Sequence, residues 1–241
     1  MVIHLSPKKI LILNVVIIVG LLCLNILAIF SKFYRGNEIE LFDFDRENNI
    51  PSLYSTFNLL VSSVLLFLTA SNCKTRNRSL YLPWLGLSAI FLFLSIDELL
   101  SIHEKLGSFL KMFFQTSGIF LYMWVIPYSI AMIVFVLVYA KFVFQLPKNI
   151  LPLFLGSGAV FVLSAIGLEM LEAHHASQFG KETLLYATYY TCEEFLEMLT
   201  IAVFMYALLI QITVNQSDPL NIIITANKLP PSSEALDTDP D

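Results

Sequence analysis

The stretch Tyr189–Leu209, YYTCEEFLEMLTIAVFMYALL, is apolar enough to cross a membrane, yet it carries Glu193, Glu194 and Glu197 within five residues. From Thr200 onward it holds no charged residue. About 20 apolar residues in a helix match a hydrocarbon core of roughly 30 Å, so the run reads as a transmembrane span with its acids gathered at one end. An ionised acid at mid-helix costs on the order of 2.5–3.5 kcal/mol on insertion scales. Three of them require compensation from elsewhere in the chain.

The whole composition agrees with a membrane setting. Of 241 residues, 57% are hydrophobic and 14% charged, with a mean hydropathy of +0.74. That excludes an ordinary soluble domain. A net charge of −5 without a basic stripe gives no footprint for nucleic acid. Cys23 and Cys192 fall in apolar runs and Cys73 in a basic loop, so no pair forms a disulfide framework.

Six apolar runs, at about 10–30, 53–71, 80–106, 120–144, 150–175 and 184–213, predict an all-α polytopic bundle of six transmembrane helices over residues 1–213. The first run follows Lys8 and Lys9, is long, and lacks a small-residue cleavage site, which marks a signal anchor. The loop NCKTRNRS carries Lys74, Arg76 and Arg78 and no acid, placing it and both termini in the cytoplasm. The segment 214–241, rich in Pro, Ser and Asp, reads as a disordered acidic cytoplasmic tail.

This topology sorts the carboxylates. Glu38, Glu40, Asp43, Asp45 and Glu47 fall in the first outer loop. Asp97, Glu98 and Glu104 lie late in the third run, and Glu169 and Glu172 late in the fifth. Glu182 joins them just ahead of the sixth run, and Glu193, Glu194 and Glu197 lie early within it, leaving five of the 19 acids in the tail. FDFDREN (42–48) resembles a cation-binding acid run but reads as a solvated loop. At 1.5 Å per residue, Asp97 and Glu98 lie about 9 Å below the outer boundary, and Glu193 and Glu194 roughly 10 to 12 Å.

Helical phase shows which groups can converge. Asp97, Ser101 and Glu104 share a face, while Glu98 shares one with Lys105, with which it can pair. Glu169, Glu172 and His175 succeed one another in steps of three. Glu193 and Glu197 stack at four, Glu194 and Glu197 at three, and Tyr186 and Tyr190 extend that face outward. Tyr122, Trp124, Tyr186 and Tyr190 also suit an interfacial aromatic belt. His174 reads as a solvated helix end.

Lys105 and the histidines are the only basic groups within these segments, so either some carboxylates are protonated or cations sit among them. Carboxylate with imidazole suits iron, manganese or zinc. Glu172-x-x-His175 matches the ligand pair of di-iron carboxylate bundles, with Glu194-x-x-Glu197 as a carboxylate variant. The expected metal ligands are Glu169, Glu172, His175, Glu193, Glu194 and Glu197, with His103 and Glu104 from the third run. A dinuclear centre is one arrangement. Asp97 or Glu98 would bridge or act as base, and Tyr190 would serve as a proton or radical partner.

FLSIDELLSIHE, GLEMLEAHH, EEFLEM and ENNIPSLYSTFNLL resemble segments of an uncharacterised family of bacterial six-span membrane proteins. The resemblance implies this topology in a bacterial cytoplasmic membrane and implies no activity; the loop charges place the site on the non-cytoplasmic side. A looser likeness exists to the alkaline ceramidase and progestin-receptor-like superfamily, membrane hydrolases with a Ser/Asp/His zinc site. This chain departs from that pattern in having six predicted spans and no late His-x-x-x-His pair.

The expected function is a membrane metalloenzyme acting on a lipid or other apolar substrate at the outer half of the membrane. Hydrolysis by zinc and oxidation by iron fit equally well. A proton- or divalent-cation-coupled transporter is the first alternative, since intramembrane carboxylates also serve as relays. Against it, spans three and five offer few inner polar groups beyond Ser88, Ser157 and Ser164, and the inner half of the sixth is nearly apolar. A non-catalytic sensor or assembly factor is the second alternative.

Overall fold

The computed structural model describes residues 2–4, 6–76, 78–215 and 221–223. It contains α1 (Pro7–Phe30), α2 (Ile50–Arg76), α3 (Arg78–Leu100), α4 (Ile102–Leu110), α5 (Val125–Val143), α6 (Leu151–Val162), α7 (Glu169–Phe179) and α8 (Leu184–Asn215). A π-helical turn, Ser31–Arg35, extends α1, and another, Leu163–Leu168, joins α6 to α7. Among the described residues, six helical segments are long and apolar enough to cross a membrane, and the body of the fold, apart from one short strand pair, is an all-helical membrane bundle.

Two three-residue strands, β1 (Val2–His4) and β2 (Asn221–Ile223), pair antiparallel. They bring the two terminal segments together at the end of the bundle opposite the acidic loops. Val214 and Asn215 continue α8, while 216–220 and 224–241 of the expected disordered tail lie outside the described residues.

The spans depart from the expected runs where local chemistry intervenes. The third run, expected as one helix to residue 106, breaks at Ser101, whose φ of 48° and ψ of 49° are left-handed. α4 then leaves as a separate short helix. The fourth begins at Val125, after a 3-10 turn at Gly118–Phe120. The second begins at Ile50 because Asn49 caps it. Asn49 N–H donates to Ser52 Oγ (3.0 Å) and Ser52 N–H to Asn49 Oδ1 (3.1 Å), a reciprocal box that satisfies two helix-end donors.

α8 is the central helix, packed on α1, α2, α6 and α7, while α2 and α3 pair along their lengths. The non-acidic half of the core is aromatic. Trp84 meets Phe142 edge-on at 5.0 Å, and Phe91 stacks on Phe204 at 4.6 Å. Residues such as Leu137 (75% exposed) and Val138 turn their side chains outward, as a lipid-facing surface requires.

Candidate carboxylate–histidine site

Four local devices bring the acids to one end of the bundle. Asn25 in α1 donates to Thr191 Oγ1 (2.9 Å) and accepts the Phe44 N–H (3.0 Å), fixing the 36–49 segment against α8 two residues before Glu193. Asn49 Nδ2 donates to the carbonyls of Asp43 (2.6 Å) and Glu40 (3.2 Å), folding that segment back on itself. The π turn at Leu163–Leu168 inserts an extra residue and re-aims the face that carries Glu169 and Glu172. The break at Ser101 lets α4 fold over the acids, and buried Gly107 admits the backbone of Trp124, which a Cβ would meet at 3.3 Å.

At the centre, one carboxylate oxygen from each of Glu169, Glu172 and Glu193 lies within 4.8 Å of the other two. Glu172 (5% exposed) and Glu193 (7% exposed) are buried. Glu169 Oε1 accepts a hydrogen bond from Trp124 Nε1 (3.0 Å). Glu193 Oε2 is buried without a partner. Among the described residues no Lys or Arg forms an ion pair with any of the three. Glu98, Glu194 and Glu197 each lie within electrostatic reach of Glu47, and Glu194 and Glu197 also of Glu169.

Asp97, His103 and Glu47 form a second group. Asp97 Oδ1 accepts the His103 backbone N–H (2.8 Å) and lies 3.2 Å from His103 Nδ1, while Asp97 Oδ2 accepts the Tyr128 hydroxyl (2.8 Å). His103 Nε2 faces Glu47 Oε1 at 3.8 Å, and Glu47 Oε2 is buried without a partner. Trp124 stands edge-on to both His103 (5.0 Å) and Tyr128 (5.2 Å). Burial pushes the Glu47 carboxyl up to about 7; His103 opposes the shift, and Glu104, Asp97 and Glu169 add to it. Burial lowers the His103 pKa, but its contacts with Asp97 and the charges of Glu47 and Glu104 outweigh that and hold it above its ordinary value.

A tyrosine–lysine rim covers the cluster. Tyr186 OH donates to Asp45 Oδ1 (2.9 Å) and lies 3.1 Å from Tyr122 OH. Lys181 Nζ sits over the rings of Tyr122 (4.9 Å) and Tyr186 (5.4 Å). Burial raises the pKa of Asp45 against the lowering charge of Lys181 and the hydrogen bond from Tyr186. Lys32 ties the end of α1 to Glu182 at 3.2 Å, closing the 180–183 turn.

Other sequence-nominated residues take different positions. His175 Nε2 lies 2.7 Å from Thr183 Oγ1, its ring packs against Phe179 and Tyr189, and it is not in the group formed by Glu169, Glu172 and Glu193. Each step of three turns the side chain back by about 60°, so His175 is some 120° from Glu169. Glu104 is exposed, and His174 is exposed midway along α7, beside Gln178 (3.3 Å). Lys105 donates to the Leu100 carbonyl (2.5 Å) at the end of α3, where the alternative reading pairs it with Glu98. Tyr190 is buried against Tyr186 (5.7 Å).

The FDFDREN segment, expected as a solvated loop, buries Asp43 and Phe44 and turns Glu47 inward. Glu47 and Asp45 are therefore site residues that sequence reasoning passed over. The signal was the cap: Asn49 with Ser52 three residues on marks a helix start immediately after the acids, which anchors them. Trp124 and Tyr186, taken for belt residues, contact carboxylates directly.

No curated protein and no solved structure matches this sequence. A family model does, over residues 10–212, a range that reaches from the first span into the last and holds every acid of the site. The chain belongs to the family described as Domain of unknown function (DUF8692).

Proposed function

We propose that this protein is an integral membrane metalloenzyme in which Glu169, Glu172 and Glu193 hold an iron, manganese or zinc ion. The convergence of three carboxylate oxygens within 4.8 Å, with Glu193 Oε2 buried and unpartnered, carries the reading. Three like charges in a low-dielectric bundle repel unless protons or a cation are shared among them; the all-oxygen donor set suits manganese, and the His103 imidazole close by extends the choice to iron and zinc. An ion held there would supply Lewis acidity or redox chemistry. The chain's own part is to hold the carboxylates, with Trp124 fixing Glu169 and the Tyr186–Asp45 contact closing the rim over Glu172.

The substrate class proposed is a lipid or another apolar molecule arriving from the membrane. A wholly apolar groove of about 390 Å³, lined by Leu110, Phe114, Met123, Ile126, Pro127 and Ile130, supports it. Trp124 and Tyr128, from the same segment, reach the acids on the other side. An acyl chain in that groove would lie alongside the site without desolvating a polar group.

One observation favours ion or proton transport as a second reading. Ser55, Asn58 (2% exposed) and Ser62 (0%) line one face of α2, and each has a buried polar atom without a partner. The stripe reaches roughly 18 Å along the helix from Ile50, and waters there would continue a polar path from the acidic end toward mid-membrane.

The test is elemental analysis of detergent-purified protein beside Glu172→Gln and Glu193→Gln variants. Stoichiometric iron, manganese or zinc in the wild type, lost in both folded variants, is the expected result. Metal-free, well-folded wild type that also takes up none of the three on titration would overturn the reading. Mass spectrometry of lipids incubated with the loaded protein then separates the two: a modified lipid supports the enzyme, and metal-driven flux in vesicles without lipid change supports transport.

A further inference from the structure

The arrangement of Asp97, His103 and Glu47 has no counterpart in the triad and does what a metal position needs. Asp97 has both oxygens engaged, Oδ1 by the backbone N–H of His103 and Oδ2 by Tyr128. It is thus a poor candidate for a ligand and a good one for an orienting group. Since an ionised carboxylate only accepts, its contact with His103 Nδ1 (3.2 Å) makes Nδ1 the donor. In the neutral ring the lone pair is then left on Nε2, and that atom faces Glu47 Oε1 at 3.8 Å.

With a lone pair on each, the two atoms share no hydrogen bond, and 3.8 Å exceeds hydrogen-bond length in any protonation state. They are close to the separation of two ligands of one ion, about 3.4 Å for bonds near 2.1 Å at a tetrahedral angle. The other Glu47 oxygen is buried without a partner, so the carboxylate has capacity left. A histidine whose far nitrogen donates to a carboxylate is the usual setting of a metal-binding imidazole.

The α8 acids place this position beside the triad. Around the helix, Glu197 is about 40° and Glu194 about 100° from Glu193. Glu193 joins Glu169 and Glu172, whereas Glu194 and Glu197 also feel Glu47, and Glu197 feels Glu98 as well. Glu197 lies between the two in phase and feels the charges of Glu98 and Glu169 as well as Glu47.

We infer that His103 Nε2 and Glu47 form a second divalent-metal position next to the triad, completed by Glu98, Glu194 or Glu197, with Asp97 as its positioning residue. The inference rests on the proposal that the triad binds metal and adds a dinuclear centre to it. The acidic 36–49 segment, through Glu47, then becomes part of the centre rather than a cover for it.

Titration with manganese, read by atomic analysis and electron paramagnetic resonance, tests it. Wild type should take two equivalents per chain and show an exchange-coupled signal. Glu47→Gln and His103→Gln should each keep one equivalent and give the six-line signal of an isolated ion. Glu47→Gln leaves the α4 contact of His103 with Asp97 intact and serves where the histidine variant fails to fold. Wild type with one equivalent, unchanged in Glu47→Gln, would overturn this inference and leave the triad reading standing. Wild type that takes up no manganese, and no iron or zinc in parallel titrations, overturns both.

Discussion

Asp97 and His103 face each other across the left-handed break at Ser101, and one oxygen of Asp97 engages both the backbone N–H and the ring of His103, at 2.8 and 3.2 Å. The same contact therefore starts α4 and orients an imidazole. A helix start needs an acceptor for its free amides, and a histidine ligand needs a partner that sets its tautomer. Here a single carboxylate does both.

Asp97→Asn separates the two tasks. The amide oxygen can still cap α4, but the neutral group no longer holds the ring with Nδ1 protonated. Metal affinity at the histidine position should fall about 10–100-fold, while the melting temperature changes little. Asp97→Ala loses the cap as well, at a cost of about 1–2 kcal/mol. Metal titration beside thermal melts of both variants checks this.

Glu193→Gln should trade function for stability. Without metal, removing one of three converging charges relieves repulsion and stabilises the fold by about 1–3 kcal/mol. With metal, the wild type gains stability on loading and the variant does not. Melting curves of both proteins, with and without chelator, decide the matter. A variant less stable than wild type under chelation counts against the repulsion argument.

The metal-free protein should be more stable in mild acid than in mild base. Glu47 has a folded-state value of about 7 against an ordinary 4.5, so the folded state holds an extra proton between them. Its stabilising contribution is complete below the ordinary value and is lost as pH rises through about 7. His103, also raised, acts with the same sign, its contribution complete below 6.5 and lost as pH rises through the folded value. Melting temperature in chelator should fall from about pH 5.5 to about pH 8, and Glu47→Gln should flatten the curve.

His175→Ala should leave the metal content unchanged. Its Nε2 is occupied by Thr183 Oγ1, the same atom that accepts the Tyr186 N–H at 3.1 Å and starts α8. The expected loss is about 1 kcal/mol of stability, the value of one such contact. Elemental analysis of the folded variant provides the check; a lost equivalent would return His175 to the ligand set.

The amino-acid sequence by itself determined the membrane class, the number of spans and the end of the bundle at which the acids gather. Each comes from one-dimensional quantities: run length against hydrocarbon thickness, and the alternation of direction that six crossings impose. It also singled out Glu169, Glu172 and Glu193 as candidates, because an acid inside an apolar helix is visible without knowing its neighbours. Only the tertiary structure decided which carboxylates share a point. Helical phase projected from ideal geometry is lost at the π turn before Glu169 and at the left-handed Ser101, each of which re-aims the residues beyond it. Glu47 enters the site because Asn25, nineteen residues before Phe44 and on another element, holds its segment against α8. His175 stands outside the converging group and is held instead by Thr183 across the turn between α7 and α8. Such contacts join residues far apart in the chain, and no periodicity encodes them.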